Sequence, residues 1–369
     1  MSVLANAWVA RGTSVTLITL SDSASDFYRI DPRIHRIALC VSASSHNALT
    51  GAARNVRRIR TLRAAIRAET PDAVLSFMTA TNVLSILACR SLRIPCIVSE
   101  RVSPPNPAIR GPWALGFRYA YPRAHAIVAQ TDRAATWLRS RFPAVPIHVI
   151  ANPVVLEHSS NGEGNFTHIV KSAAEGQFIA AMGRLTSQKG FDLLLRAFAS
   201  LAVARSGWSL TIIGDGPERA NLERQIEALG LARRVRLVGL LRNPHQVLRR
   251  AAAFVLPSRY EGMPTALLEA MACGLPCVSY DCPTGPREII QDGINGLLVP
   301  PGDVVELAQA LGRVMDNDDL RRRLGGQAAN VVRDFAVDRI IAQWDKLVRN
   351  LASPNRGAVS ELRNPASGV

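Results

Sequence analysis

No run in this 369-residue sequence approaches eighteen consecutive apolar residues, which excludes a membrane-spanning helix. The six cysteines, Cys40, Cys89, Cys96, Cys273, Cys277 and Cys282, form no Cys-x-x-Cys pair and have no His-rich cluster beside them. That pattern fits reduced cytosolic thiols rather than disulfides or zinc ligands. Lysine is missing from residues 1–152, yet that half carries 19 Arg against 7 acidic residues, a net +12, leaving +3 for the rest. Such asymmetry points to an anionic partner, phospholipid headgroups or nucleic acid. With no aromatic-interleaved RNA motif, zinc finger or helix-turn-helix pattern in view, no nucleic acid is expected and an anionic membrane surface is preferred.

A further absence lies at the start. Met1 to Arg11 reads as a helix closed by Gly12 and feeding a strand at 14–20. A doubly wound domain should place a strand and a Gly-rich turn before such a helix, and here there is neither. The N-terminal domain is therefore expected to lack its first strand. The reading frame upstream of Met1 is expected to encode roughly twenty more residues, a strand plus a turn.

What is present suits two α/β domains: 369 residues is long for one core, and 48% apolar residues suffice for two. In residues 51–69 the side chains of Ile59, Leu62 and Ile66 share one helical face, while Arg54, Arg57, Arg58, Arg60, Arg63 and Arg67 fill most of the rest. Two readings stand: a solvated face, or a surface for anionic lipid made by Arg57, Arg60, Arg63 and Arg67. Residues 72–77, 95–99, 126–129 and 147–151 read as buried strands. Glu100 and Arg101 directly follow the second of these, at the sheet edge where open α/β sheets bind ligands, and are the acceptor-side candidates. Residues 104–121 mix Trp113, Phe117 and Tyr119 with Arg110 and Arg118, which suits a membrane interface or core packing equally.

The domain boundary falls at Asn152-Pro153, giving domains 1–152 and 153–335. In the second, strand 178–182 runs into Gly183-Arg184-Leu185 and then Gln188-Lys189-Gly190 before a helix. Two cations bracketing a glycine loop at a helix start suit a diphosphate, Arg as a fork and Lys as a point charge. Gly214-Asp215-Gly216-Pro217 reads as a structural turn. Asp316-Asn317-Asp318 is formally Asp-x-Asp but sits in a polar turn and reads as a helix start, so no metal is expected. Residues 331–351 read as one helix, and 353–369 as a disordered Pro/Gly/Ser-rich tail.

The chain is organised around 258–302, SRYEGMPTALLEAMACGLPCVSYDCPTGPREIIQDGINGLLVPPG. A Gly/Pro loop leads into a helix at 265–273, whose free N–H groups and dipole suit a phosphate. Glu261 and Glu269, with seven residues between them, suit sugar hydroxyls, which accept from no carboxylate but donate to it. Phosphate plus hydroxyls describes a nucleotide sugar.

This stretch, with Glu-x7-Glu, the Pro-Thr-Gly-Pro turn and DGINGLLVPPGD, resembles the donor-binding signature of glycosyltransferase family 4. The resemblance implies a retaining transferase of the GT-B fold: two Rossmann-like domains with parallel sheets facing across a cleft, and a helix at 336–352 crossing back to the first domain. It implies that Arg184 and Lys189 face the leaving diphosphate, Glu261 the sugar and Glu269 the ribose. Gly183, Gly262, Met263, Pro264 and Thr265 would line the donor, and Leu241 would meet the base. No cofactor is implied beyond the nucleotide sugar co-substrate. Residues 258–262 and 280–286 look like those of bacterial enzymes that extend undecaprenyl-diphosphate-linked glycans, several of which use a UDP-sugar. A UDP-hexose or UDP-N-acetylhexosamine is thus favoured and GDP-mannose stays open. The acceptor is expected to be a lipid-linked glycan and the enzyme peripheral on the inner, cytoplasmic face of the membrane. A glycogen- or trehalose-type soluble transferase would share the clamp but not the basic half. A non-catalytic binding protein or truncated pseudo-enzyme gains force from the missing strand and loses it from the presence of Arg184, Lys189 and Glu261.

Overall fold

The computed structural model describes residues 1–22, 29–42, 48–101, 111–155 and 177–352. The expected disordered tail, 353–369, and Arg110 lie outside them. The chain forms two compact units, one made of Met1–Pro153 plus the chain from Val337, the other of Val154–Ala336.

In the N-terminal unit the order is α1 Ser2–Ala10, β1 Thr16–Thr19, β2 His35–Ala38, α2 Ala48–Glu69, β3 Val74–Phe77, α3 Thr79–Cys89, β4 Cys96–Ser99, α4 Pro112–Ala120, β5 Ala126–Ala129, α5 Asp132–Arg141 and β6 Ile147–Val149. The second unit runs β7 Gln177–Met182, α6 Phe191–Ala202, β8 Trp208–Ile213, α7 Arg219–Ala228, β9 Val235–Gly239, α8 His245–Leu248, β10 Ala253–Leu256, α9 Thr265–Ala272, β11 Cys277–Tyr280, β12 Leu297–Val299, α10 Val304–Asp316, α11 Asp318–Ala328 and α12 Val331–Asp334. The chain then returns to the first unit as α13 Val337–Ala352. The single helix expected over 331–351 is therefore two. It breaks because Phe335 accepts the Val154 N–H and Ala336 bridges to Val154, which ties the chain to the second unit just before it leaves.

Among the described residues the N-terminal strands form two parallel sheets, β1-β2 and β3-β4-β5-β6. No ladder joins the two sheets among the described residues. Alternation along the strands builds two cores from the larger sheet. Cys96, Val98, Ile127 and Ala129 point to one face, under α2, α3, α4 and α5; Ile97, Ala126 and Val128 point to the other, under α1 and α13. Ala5 and Val9, on another side of α1, cover the small sheet with Ile34. The second face closes on Trp344, 1% exposed, which meets the Trp8 ring edge-on at 6.4 Å and Phe77 at 5.9 Å.

Two expectations for this unit change. Arg63 does not face outward as a lipid contact: its guanidinium donates to the Ala88 and Leu87 carbonyls at the end of α3, satisfying acceptors the helix leaves open. Arg57, Arg60 and Arg67 are exposed. The aromatic stretch divides, with Phe117 and Tyr121 in the core and Leu115, Arg118 and Tyr119 exposed.

The second unit holds one fully parallel sheet, β12-β11-β10-β7-β8-β9. Numbered within the unit, that order is 6-5-4-1-2-3, the doubly wound arrangement, whose direction reverses between its first and fourth strands, β7 and β10. Ligands in such sheets bind beyond the carboxyl ends of those two strands.

Trp344→Ala should empty the space between α1, α13 and the β3–β6 sheet and cost about 3–5 kcal/mol. Urea unfolding followed by far-ultraviolet circular dichroism measures this, and a loss below about 1 kcal/mol would contradict the anchoring role given to α13.

Candidate active site

Two loops leave the carboxyl ends of β7 and β10 and are fastened to each other. The first, 183–190, starts at Gly183, whose N–H donates to Ile213, and is pinned by Leu185, fully buried, whose N–H reaches Asp215 and whose carbonyl accepts from Glu218. This needs the glycines of the neighbouring turn. A Cβ on Gly214 would stand 1.9 Å from the Gly183 carbonyl oxygen, and one on Gly216 2.4 Å from that of Leu185. The Gly214-Asp215-Gly216 turn is thus a support for the first loop. Gly190 ends that loop at φ +65°, where a Cβ would lie 2.0 Å from the Pro257 oxygen. Only glycine permits both the dihedral and the approach.

Across the gap, Lys189 Nζ lies 2.6 Å from Glu261 Oε1, and Ser258 Oγ donates to the same oxygen at 2.6 Å. Gln188 Nε2 donates to the Tyr260 carbonyl at 2.9 Å, and the Arg259 N–H to the Gln188 carbonyl at 2.8 Å. The Arg259 guanidinium forks onto Asp192 at 2.7 and 2.8 Å and also reaches the Ser187 carbonyl. Behind Glu261, Thr284 Oγ1 donates to its carbonyl, and Gly285, at φ +96°, lets the Pro-Thr-Gly-Pro turn close on Gly262 and Pro264. Burial, then the Glu261 charge, pushes the nearby Cys282 thiol up to about 12, so it stays protonated.

Glu261 is buried, and among the described residues only its Oε1 has side-chain partners; Oε2 accepts from none of them. Lys189 spends one of three donors on it. Arg184 is exposed and makes no ion pair with a described residue. Helix α9 begins after buried Pro264 and carries no side-chain cap, so its first N–H groups stay open beside Gly262, Met263 and Thr265. Together these offer two cations and a helix start for an anion, and a fixed carboxylate oxygen for a hydroxyl.

Glu269 stands apart from that cluster. Its Oε2 lies 3.5 Å from Nε2 of His245, a buried side chain of α8 whose ring nitrogens have no hydrogen-bond partner among the described residues. Half-buried Leu241 lies just past β9, ahead of α8. Sequence reasoning missed His245, Ser258, Thr284 and the Arg259–Asp192 pair. Only Ser258 carried a signal, three residues before Glu261; a lone histidine and an Asp-Arg pair 67 residues apart carry none.

Glu100 and Arg101 belong to the other unit. Glu100 is buried and accepts from Thr79 Oγ1 at 2.8 Å and from the Tyr121 hydroxyl at 2.6 Å. Burial first, then the Glu100 charge, pushes the Tyr121 hydroxyl well above its usual range. Asp316 pairs with Arg205 and Asn317 caps α11, so the Asp-x-Asp sequence is a helix start. No three His, Cys, Asp or Glu side chains converge as metal ligands among the described residues.

Two family patterns match the chain: "Glycosyltransferase Family 4" over residues 2–158 and "Glycosyl transferases group 1" over 166–331. An exopolysaccharide phosphotransferase of Streptomyces coelicolor is 36% identical over 63% of this chain, which spans 24% of that relative's length. A Campylobacter jejuni protein is 27% identical over 78% of this chain and 77% of its own; its name gives it as an α-1,4-N-acetyl-D-galactosaminyltransferase for a diNAcBac-PP-undecaprenol-linked glycan. Sucrose-phosphate synthase from Thermosynechococcus elongatus shares the fold, with a TM-score of 0.82 at 19% identity over 95% of this chain and 92% of that one.

The Asp192–Arg259 fork predicts a pH signature. Bonding to Arg259 holds the Asp192 carboxyl below its usual range in the folded chain. Its contribution is therefore complete above the unfolded value, about 3.9, and fades as pH falls through the lower folded value. Asp192→Asn should lower the melting temperature at pH 7, with the gap to the parent protein closing below about pH 4. An unchanged gap across a pH 3–7 melting series would remove the pair from the loop scaffold.

Proposed function

The chain belongs to glycosyltransferase family 4, and from that premise we propose that it moves a hexose or N-acetylhexosamine from a nucleotide diphosphate sugar, UDP favoured, to a glycan acceptor with retention at the anomeric carbon. The observation that supports this reading is the Lys189–Glu261 pair at the strand-order reversal of the second unit, which sets a cation and a buried carboxylate 2.6 Å apart on two fastened loops.

The bond between the anomeric carbon and the β-phosphate oxygen breaks, and negative charge grows on the leaving diphosphate. Arg184, the spare donors of Lys189 and the open N–H groups of α9 stabilise that charge most in the transition state. Glu261 Oε2 accepts from a sugar hydroxyl and fixes the ring. Glu269, oriented by His245, takes the ribose. The acceptor hydroxyl bonds to the anomeric carbon on the face the diphosphate leaves, and its proton passes to a phosphate oxygen. The two cations supply charge that a metal supplies elsewhere.

The acceptor reading favoured is a lipid-diphosphate-linked glycan, which the name of the Campylobacter relative supports. The membrane reading rests on exposed Arg57, Arg60 and Arg67, on the +12 charge of residues 1–152, and on the exposed apolar Leu115 and Tyr119 beside Arg118. No helix among the described residues is long and apolar enough to cross a membrane. The protein would act as a peripheral enzyme of the inner, cytoplasmic face.

Lys189→Ala, Arg184→Ala and Glu261→Ala should each cut kcat by about a hundredfold or more, far more than they lower stability; the melting temperature should hold in Arg184→Ala, which breaks no described ion pair, and fall in Lys189→Ala, which leaves Glu261 buried without its cation. The assay is transfer from a panel of UDP- and GDP-sugars to a prenyl-diphosphate-linked acceptor, and a fully active Lys189→Ala enzyme would rule out this donor site. For the membrane, each cation near an anionic surface contributes on the order of 1 kcal/mol. Sedimentation with anionic liposomes should weaken with salt and drop in the Arg57→Gln, Arg60→Gln, Arg67→Gln triple variant. Equal sedimentation with neutral liposomes would show a solvated face only.

A further inference from the structure

The second unit carries a groove on the outer face of its helical layer, and neither Arg184, Lys189 nor Glu261 lines it. It lies between α6 and α10 and encloses about 920 Å³. The two helices run side by side in the same direction, since Gly312, late in α10, faces Leu201 at the end of α6, and Arg205, just beyond α6, pairs with Asp316 at the end of α10. Small residues sink the floor: Ser200 from α6, Ala308 and Gly312 from α10. A Cβ on Gly312 would stand 3.2 Å from the Arg205 guanidinium and 3.6 Å from the Leu201 side chain, so a glycine there lets the guanidinium lie across the floor to Asp316.

Two features of the lining point to an occupant. The first is an apolar stripe along α10: Val305, 64% exposed, then Ala308 and Gly312 at helical spacing, with half-buried Leu320 of α11 at the far end. The second is charge. Three arginines, Arg196, Arg205 and Arg313, line the groove against one acid, Asp316. Arg205 already takes that acid in a fork at 2.8 and 2.5 Å. Arg196 and Arg313 are exposed on opposite walls, one on α6 and one on α10. The acid one turn back from Arg196 is Asp192, which Arg259 holds. This positive strip stands out in residues 153–369, whose net charge is only +3. The walls are helices with their backbone groups bonded internally, so the groove offers an occupant side chains alone. An extended segment lying there would leave its own N–H and C=O groups unpaired, whereas a helix satisfies them itself.

We propose that this groove docks an acidic amphipathic helix of a partner protein. Its apolar side chains would cover Val305, Leu201 and Ala308, and carboxylates on its two flanks would meet Arg196 on one wall and Arg313 on the other, in charge-assisted bonds that fix its register. The 13 residues of α10 span about 20 Å, room for about three to four turns of such a helix. A second copy is poorly suited, because it would bring a chain of net charge +15 to a basic groove. The docking surface lies outside the donor loops and stands or falls independently of the transfer reaction.

The test uses the full chain and a labelled synthetic peptide of about four helical turns, with Leu at alternating three- and four-residue spacing and Glu elsewhere, followed by fluorescence anisotropy. The parent protein should bind it about tenfold or more tighter than a peptide of the same composition with the Leu spacing scrambled, and than one with Lys in place of Glu. Binding should weaken as salt rises. The double variant Arg196→Gln, Arg313→Glu should lose about tenfold or more in affinity, and Val305→Gln several-fold, while Arg196→Lys with Arg313→Lys keeps most of it. All three positions are exposed, so the melting temperature should be unchanged in each variant. Absence of peptide binding, equal binding of the scrambled peptide, or full binding by the double variant would overturn the proposal. Should Glu157, Glu163, Glu175 or Glu361 of the chain itself fill the groove, the parent would bind no peptide, which is the first of these results. A dimer in light scattering that the double variant splits would give the groove to a second copy, and sedimentation with phosphatidylglycerol vesicles lost in that variant, without peptide binding, would give it to a lipid surface; either overturns it.

Discussion

The Lys189–Glu261 ion pair is the contact on which the second unit's site depends, because it joins two loops that share no sequence neighbourhood. Each loop is held at its base by something else: glycines at 183, 190, 214 and 216 let backbone approach backbone, and Arg259 ties 187–192 to 257–261. What those supports achieve is a buried carboxylate that keeps its charge partnered on one oxygen and leaves the other oriented. A carboxylate buried without Lys189 and Ser258 would face a desolvation cost of several kcal/mol. In the proposed reaction, the cation that balances Glu261 is also the one that meets the diphosphate.

The N-terminal unit solves the opposite problem. Its larger sheet is closed on one face by α1 and α13, the first and last described helices, meeting at Trp8 and Trp344. Near the carboxyl edge of that sheet Arg101 Nε, Gln130 Nε2 and Ser99 Oγ have no hydrogen-bond partner among the described residues. One unit therefore holds a balanced ion pair beside open donors, and the other holds polar atoms that its described residues leave without partners. Both arrangements sit at the carboxyl edge of a parallel sheet, because strand ends there release the chain into loops with free N–H groups.

Much of this was legible in the residues. Short apolar runs bounded by Gly and Pro gave the strands of both units, since a strand buried on both faces needs no alternation and reads as a continuous apolar run. Arg184, Lys189 and Glu261 stood out because charge beside glycine at a strand end has few structural uses. Less legible was Arg63: its place among five other arginines suggested a lipid face, but only the neighbouring end of α3 shows that its guanidinium answers two backbone carbonyls. The helix break at Phe335-Ala336 was equally hidden, because its cause is a bond to Val154, far away in sequence.

The sequence by itself determined the α/β class and the asymmetry of charge, which follow from local composition and spacing, and its 258–302 stretch carried the resemblance to family 4 from which the candidate site residues were drawn. Tertiary structure alone decided which of them meet. Lys189 and Glu261 are 72 residues apart and become partners only because β7 and β10, though not consecutive in the chain, are neighbours in the sheet. His245 comes to Glu269, and Arg101 to Phe77 and Asn152, for the same reason. Strand order and helix docking are set by the burial of whole apolar faces, a long-range balance that no single stretch of residues records.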